Sequence, residues 1–370
     1  MKTPSPLRNV IAEIWARSAE PTLGANLSAP RTTPGRGSAL RLTILLLAAS
    51  SAAGADPLAT GEFRWTSSAP LVSPVTRAND PCYSVKDPSI VRFGGQWHLF
   101  STIRSAKRTH QIEYVAFADW KDANAAPRHL LTVTNGYFCA PQVFWFEPHA
   151  KWYMIYQASD KARKVGLQPV FSTSKNIAEP QSWSPPAFLY PAHPGNVEAW
   201  IDFWVICDDT RAHLFFTSNN GKFWRAETRL ADFPLGWSRP EVVLLADIFE
   251  ASHTYHLKGR NQFLTIIEAI GEKGRRYYKA YLADRLDGEW TPLAATPEKP
   301  FASPRNVRFA EAAWTDSFSH GEMLRTGTDQ RMEIDPEDLV LLYQGVSDVR
   351  RAGKSYGEIP WQLGLLRSAK

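Results

Sequence analysis

The chain lacks most of what would mark a metal-cluster, helical or membrane protein. Its 370 residues include three cysteines, Cys82, Cys139 and Cys207, far apart from one another. That spacing fits no zinc site, whose ligands come in close pairs, and the odd number leaves at least one thiol without a partner in the chain. From Gly61 onward no long helical periodicity and no low-complexity linker is present, which argues against long amphipathic helices. The net charge of +5 is spread without a long Lys/Arg run in this part, so nothing points to nucleic acid. The one concentrated apolar stretch, Leu42 to Ala49, is too short to span a bilayer, and no stable membrane anchor is expected.

That stretch belongs to an atypical beginning. Pro, Ser, Thr, Ala and Arg dominate Met1 to Gly37; then Arg36 and Arg41 precede a short apolar run, followed by small residues and Ala53-Gly-Ala55. Basic residues, a short apolar core and an A-x-A end are the signature of a secretory signal. The expected organisation is a leader over residues 1–35, which is either an extension upstream of the true start or an unusually long lead-in. A signal-like segment over residues 36–55 and a folded domain over residues 61–368 follow, giving a secreted protein whose mature chain begins near Asp56.

What is abundant is short β-forming runs. Hydrophobic residues make up 44% and aromatics 12%, enough either to fill a β-rich core or to offer faces to sugar rings. Five pairs of runs recur, opening near residues 89, 142, 203, 262 and 339. Turn residues such as Gly94-Gly95 and Asp208-Asp209 join them. Repeated sheet units at this spacing predict an all-β protein, a five-bladed β-propeller, ahead of a sandwich or barrel.

Three carboxylates stand in runs that would normally be buried: Asp87 in Ser84-Val-Lys-Asp-Pro-Ser89, Asp202 in Trp200-Ile-Asp-Phe-Trp-Val-Ile206, and Glu250 in Ile248-Phe-Glu-Ala-Ser252. Burying an ionised carboxylate costs several kcal/mol unless it is paired or takes up a proton, and acid/base enzymes use such surroundings. An acid and a base carboxylate are the minimum equipment for hydrolysing a glycosidic bond. Each has a structural alternative. Asp-Pro is a common turn pair, and Glu268, in Leu264-Thr-Ile-Ile-Glu-Ala-Ile270, competes with Glu250 on sequence alone.

An ordered series of motifs narrows the choice. Phe63-Arg-Trp-Thr-Ser-Ser, Val85-Lys-Asp-Pro-Ser, Ala140-Pro-Gln-Val-Phe, Phe249-Glu-Ala-Ser, Ser319-His-Gly-Glu-Met and Pro360-Trp-Gln-Leu-Gly occur in order along the chain. Together they closely resemble glycoside hydrolase family 62, the α-L-arabinofuranosidases that remove arabinose branches from xylan. The resemblance covers roughly Gly61 to Leu366.

It implies a five-bladed propeller, an inverting mechanism, Asp87 as general base, Glu250 as general acid and Asp202 as the carboxylate that orients and tunes the acid. It moves Glu268 to a buried or sugar-binding role. Lys86, Gln142, Arg275, Arg276, Tyr343 and Tyr356 become candidates to bind arabinose or line the xylan groove. His320 resembles the histidine that the family places near the axis beside calcium or a similar ion, so a structural Ca2+ is considered and no organic cofactor is expected. The implied partners are arabinoxylan and arabinoxylo-oligosaccharides, with a monomer acting on them. Two places depart from the usual pattern: Phe138-Cys139 before Ala-Pro-Gln, and Gly357 after Tyr356 where many members carry Asn. The rivals are a propeller glycosidase of family 43, an arabinanase or β-xylosidase, and an inactive secreted sugar-binding propeller.

Overall fold

The computed structural model describes residues 56–163 and 165–369, so the leader and the signal-like segment lie outside the described residues. The described chain forms five sheets. Blade I runs through Cys82–Phe93, Gln96–Ser105, His110–Phe117 and Arg128–Leu130; blade II through Phe138–Phe146, Lys151–Ser159, Leu167–Ser174 and Ala187–Phe188. Blade III is Ile201–Cys207, Arg211–Thr217, Lys222–Arg229 and Glu241–Leu245, and blade IV is His253–Leu257, Phe263–Ile270, Arg276–Ala283 and Thr291–Ala294. In blade V, Ser317–Met323, Val340–Val346 and Gln362–Ser368 are followed by Trp65–Ser67 from the other end of the chain. Two short strands add in parallel, Glu333–Ile334 to blade IV and Val307–Phe309 to blade V.

The ring closes through blade V, where Trp65 pairs with Ser368 and Ser67 with Leu366. Innermost strands pack blade on blade, and the ring is completed where Ser317–Met323 meets Cys82–Phe93. Closure removes the exposed sheet edges that an open array would leave. Strands such as Arg211–Thr217 are buried along nearly their whole length and read as apolar runs, whereas outer strands such as Glu241–Leu245 are largely exposed. The largest fully buried side chains are mostly aromatic, among them Trp65, Trp152, Trp204, Tyr255 and Phe144. The aromatic richness therefore goes mainly into the packing between blades.

The five run pairs each fall in a different blade, as expected. In blades I to III they are the innermost two strands. In blades IV and V they are the second and third, because the innermost strands, His-Thr-Tyr-His-Leu and Ser-Phe-Ser-His-Gly-Glu-Met, are too polar to stand out. Gly94 and Gly95, with φ of 58° and 80°, form the two-residue turn of the first hairpin. All three cysteines are free thiols. Among the described residues no helix is long and apolar enough to cross a membrane.

Candidate active site

A defect repeats in the inner strands and builds the site. The ladder slips between Lys86 and Ser89, between Cys139 and Gln142, between Ile201 and Trp204, and between Ser319 and Gly321. Asp87, Ala140 and Asp202 sit in these bulges at φ of 48°, 52° and 56°, and Ala251, just before the inner strand of blade IV, has φ 53°. A left-handed non-glycine residue costs about 1–2 kcal/mol. Bulges re-aim side chains and are frequent beside active sites. Pro88 and Pro141 fall at two of the slips, where the ladder needs no N–H. The Asp87-Pro88 pair is thus a bulge within a strand, not a turn.

Each bulge is held from the preceding blade. The Asp87 N–H donates to Gln344 Oε1 at 2.7 Å, Ala140 N–H to Thr102 Oγ1 at 2.8 Å, Asp202 N–H to Gln157 Oε1 at 3.2 Å, and His320 N–H to Glu268 Oε2 at 2.9 Å. All four acceptors lie on the second strand of the blade before. Blade IV differs. There the Ala251 N–H donates to Asp202 Oδ2 at 3.0 Å, while the corresponding second-strand residue, Thr217, has a buried hydroxyl with no hydrogen-bond partner. Asp202 thereby fixes the residue that follows Glu250.

These bulges occur in neighbouring inner strands, which brings the predicted carboxylates together. Asp87 and Asp202 are both buried. His320 links them, its Nδ1 standing 3.4 Å from Asp87 Oδ1 and 3.7 Å from Asp202 Oδ2. Burial alone would raise the Asp87 carboxyl, but the Lys86 ammonium 3.5 Å from Oδ2, with the Thr102 hydroxyl, holds it below the ordinary carboxylate range. Lys86 also donates to the Tyr356 hydroxyl at 3.4 Å. The His320 imidazole is pushed down by burial and is neutral near pH 7.

Glu250 and Asp202 behave oppositely. Burial raises Glu250 to about 7, against the pull of Arg276, whose Nη1 lies 4.0 Å from Oε1. Burial, then the charges of Glu250 and Asp87, drives Asp202 well above its ordinary value. The two titrate as a pair that keeps a proton at neutral pH. Across the same site stand an ionised carboxylate and a protonated one, the arrangement that general base and general acid require.

Of the other candidates, Lys86, Arg276, Glu268 and Tyr356 join the site. Glu268 is fully buried, accepts from the Ser319 hydroxyl at 2.6 Å and pairs with Arg276 at 2.9 Å. It positions Arg276, which lies over the Phe249 ring at 4.1 Å; the structure gives it no path to a sugar. Two expectations need correction. Gln142 is spent tying blade II to blade III, donating to Val205 O at 2.6 Å and accepting from Val205 N at 2.7 Å. The Tyr343 hydroxyl meets the Ser67 hydroxyl at 2.7 Å inside blade V, and its ring packs on Trp314 and Phe318. Arg275 keeps a third of its side chain exposed while it is held by Asp348 at 2.6 Å and faces Asp316 at 3.7 Å.

Among the described residues no three His, Cys, Asp or Glu side chains form a metal-holding group. One imidazole facing two carboxylates falls short of the six to eight oxygens calcium takes, so these three side chains do not fit a protein-built calcium cage.

Several site residues escaped sequence reasoning: Thr102, Gln157, Gln344, Asn219 and the neighbouring rings of His110 and Tyr137, 4.8 Å apart. A signal for the anchors exists. Phe100-Ser-Thr102, Ile155-Tyr-Gln157, Ile266-Ile-Glu268 and Leu342-Tyr-Gln344 each place a polar residue at the same point of a second strand. Two surface depressions of about 470 and 460 Å³ lie elsewhere, around residues 61–66 and around Trp97 and Trp120, and neither includes a site carboxylate.

Comparison with known proteins agrees with this geometry. The family model for glycosyl hydrolase family 62 matches residues 64–367. Alpha-L-arabinofuranosidase C of Cellvibrio japonicus (strain Ueda107) is 38% identical over 315 residues, covering 83% of this chain and 47% of that protein. The chain thus spans about half the length of that curated relative. The catalytic domain of the Coprinopsis cinerea family 62 α-L-arabinofuranosidase superposes with a TM-score of 0.78 at 35% identity, covering 84% of this chain and 98% of that one. A family 62 hydrolase in complex with xylotriose gives 0.76 at 36%, covering 83% and 98%. With the match running from the ring-closing strand to the end of the last blade, the chain belongs to glycosyl hydrolase family 62.

Proposed function

We propose that the protein is an inverting α-L-arabinofuranosidase that hydrolyses arabinofuranosyl branches from arabinoxylan. The observation that carries this reading is two carboxylates in opposed settings in one site: buried Asp87 stands 3.5 Å from the Lys86 ammonium, while partly buried Glu250 lies next to Ala251, whose N–H is held by the buried Asp202. In the proposed reaction Asp87 takes a proton from water as it attacks the anomeric carbon. Glu250 delivers its proton to the departing xylose oxygen, and Arg276 stabilises the carboxylate left behind. Lys86 and Tyr356 edge the space beside the base and are suited to hydrogen-bond the arabinose. The named activity of the Cellvibrio relative and the xylotriose bound by a family 62 structure support the substrate class.

The direct test is incubation of purified protein with arabinoxylan, linear arabinan and xylo-oligosaccharides, with the released sugar identified and its first-formed anomer followed by NMR. Free arabinose of inverted configuration, from arabinoxylan, is expected. Xylose or arabinan oligomers as main products would give the assignment to the family 43 type of activity. We also propose export, on the run from Arg41 to Ala55; N-terminal sequencing of secreted protein should find a chain beginning near Asp56, and an intact Met1 on cytoplasmic protein would refute it.

A further inference from the structure

Glu250 has two oxygens, and the structure treats them differently. Oε2 accepts a hydrogen bond from Asn219 Nδ2 at 3.1 Å, while Oε1 faces Arg276 Nη1 at 4.0 Å. Asn219 comes from blade III, in the turn between Arg211–Thr217 and Lys222–Arg229. It is left-handed, with φ 57°, a conformation that Asn tolerates better than most residues. The turn is well anchored. The Ser218 hydroxyl donates to Asn220 Oδ1 at 2.6 Å and accepts from Trp224 Nε1 at 2.9 Å. Gly221 O accepts from the Ala246 N–H at 3.0 Å, and Ile248 N–H donates to Ala246 O at 2.9 Å, just before Phe249-Glu250. Gly221 itself, at φ 83°, has no room for a side chain, since a Cβ would lie 2.7 Å from Ala246 O. The segment that carries the acid is therefore tied to the turn that carries Asn219.

We propose that Asn219 is a positioning residue for the general acid: by donating to Oε2 it makes that oxygen the carbonyl-like one and leaves Oε1 to carry the proton delivered to the leaving group. This rests on the arabinofuranosidase reading above. A carbonyl oxygen accepts an amide N–H better than the hydroxyl oxygen of a carboxylic acid, which can itself donate. A carboxyl with one oxygen so held loses its freedom to rotate and to present either oxygen, and misplacement on the scale of an ångström is costly in catalysis. The remaining charges that face Glu250 are Arg276, Glu268, Lys86 and Asp87, together with its partner Asp202.

The test compares Asn219→Gly, which keeps the left-handed turn and deletes the amide, with Asn219→Asp, which keeps the size and puts an acceptor toward Oε2. Both are assayed on arabinoxylan and on an aryl arabinofuranoside whose leaving group departs without a proton. Loss of a hydrogen bond to an ionisable group predicts about a 10- to 100-fold fall in kcat on arabinoxylan for both variants, with KM within about twofold. Activity on the aryl substrate should fall no more than about threefold, which also shows that the variants are folded. The alkaline limb of kcat/KM should move to higher pH in both, because a donor to the carboxylate is gone and, in the Asp variant, a negative charge is added. Equal losses on the two substrates, or unchanged kcat on arabinoxylan, would overturn the assignment of Asn219 alone. Wild-type protein that releases arabinose from neither substrate would overturn the functional reading and this inference with it.

Discussion

The two halves of the site are built on the same scaffold yet hold opposite protonation states. Asp87 occupies a bulge in blade I and Asp202 the equivalent bulge in blade III; both are left-handed, both are buried, and both N–H groups are held by a glutamine from the preceding blade. Burial pushes both carboxyls upward. What separates them is the charge that each one meets. In blade I it is Lys86; the corresponding place in blade IV, beside Asp202, is Glu250, whose backbone O accepts from the second strand at Glu268 N. A cation beside one carboxylate makes a base, and a second carboxylate beside the other makes an acid. Chemical identity is set by one side chain per half, on a common backbone frame.

The largest effect should come from breaking the base half. Asp87→Asn should reduce kcat by about 10⁴-fold, the upper end of what general base catalysis contributes, on arabinoxylan and on an activated aryl arabinofuranoside alike. Steady-state rates on both substrates check this.

Lys86→Met removes the cation from the base half. The Asp87 carboxyl then rises by about a unit or more, and because the base works only when ionised, the acid limb of the kcat/KM profile should move to higher pH. An unmoved acid limb would mean that Lys86 does not keep the base charged.

Asp202→Asn removes the carboxyl that shares a proton with Glu250, and with it the repulsion that delays loss of the last proton, while leaving an oxygen for the Ala251 N–H. Without that repulsion Glu250 releases its proton more readily. The alkaline limb, expected near pH 7 in the wild type from the raised Glu250, should shift to lower pH. The pH–rate profile reads this directly, and an upward shift would contradict the coupling.

The smallest effect belongs to a residue outside both halves. Tyr343→Phe loses only the hydroxyl contact with Ser67, so unfolding measurements should show a cost of about 1 kcal/mol, with KM and kcat unchanged. A raised KM would return Tyr343 to the sugar site.

Much of this comparison could be read from the chain before any coordinates. The five β units show because blade interiors demand apolar runs, and the three carboxylates show because they interrupt such runs. The failures share a cause. A polar atom in an apolar run looks alike whether it faces the site or a neighbouring blade. Gln142 and Tyr343 therefore passed as sugar-binding residues, while Thr102, Gln157 and Gln344 went unnoticed. The innermost strands of blades IV and V were hidden for the opposite reason: lining the axis, with His253, His320 and Glu322 buried in them, they carry too few branched residues to read as strands. Register slips of one residue, which aim Asp87 and Asp202, leave no compositional trace apart from Pro88 and Pro141.

The assignment of the acid half is tested most directly by the leaving-group dependence of Glu250→Gln. That variant cannot supply a proton, so it should lose about 10²–10⁴-fold on arabinoxylan while retaining most activity on an aryl arabinofuranoside with a good leaving group. Equal loss on both substrates would contradict the account, and the same split appearing instead in Glu268→Gln would place the acid on the wrong strand.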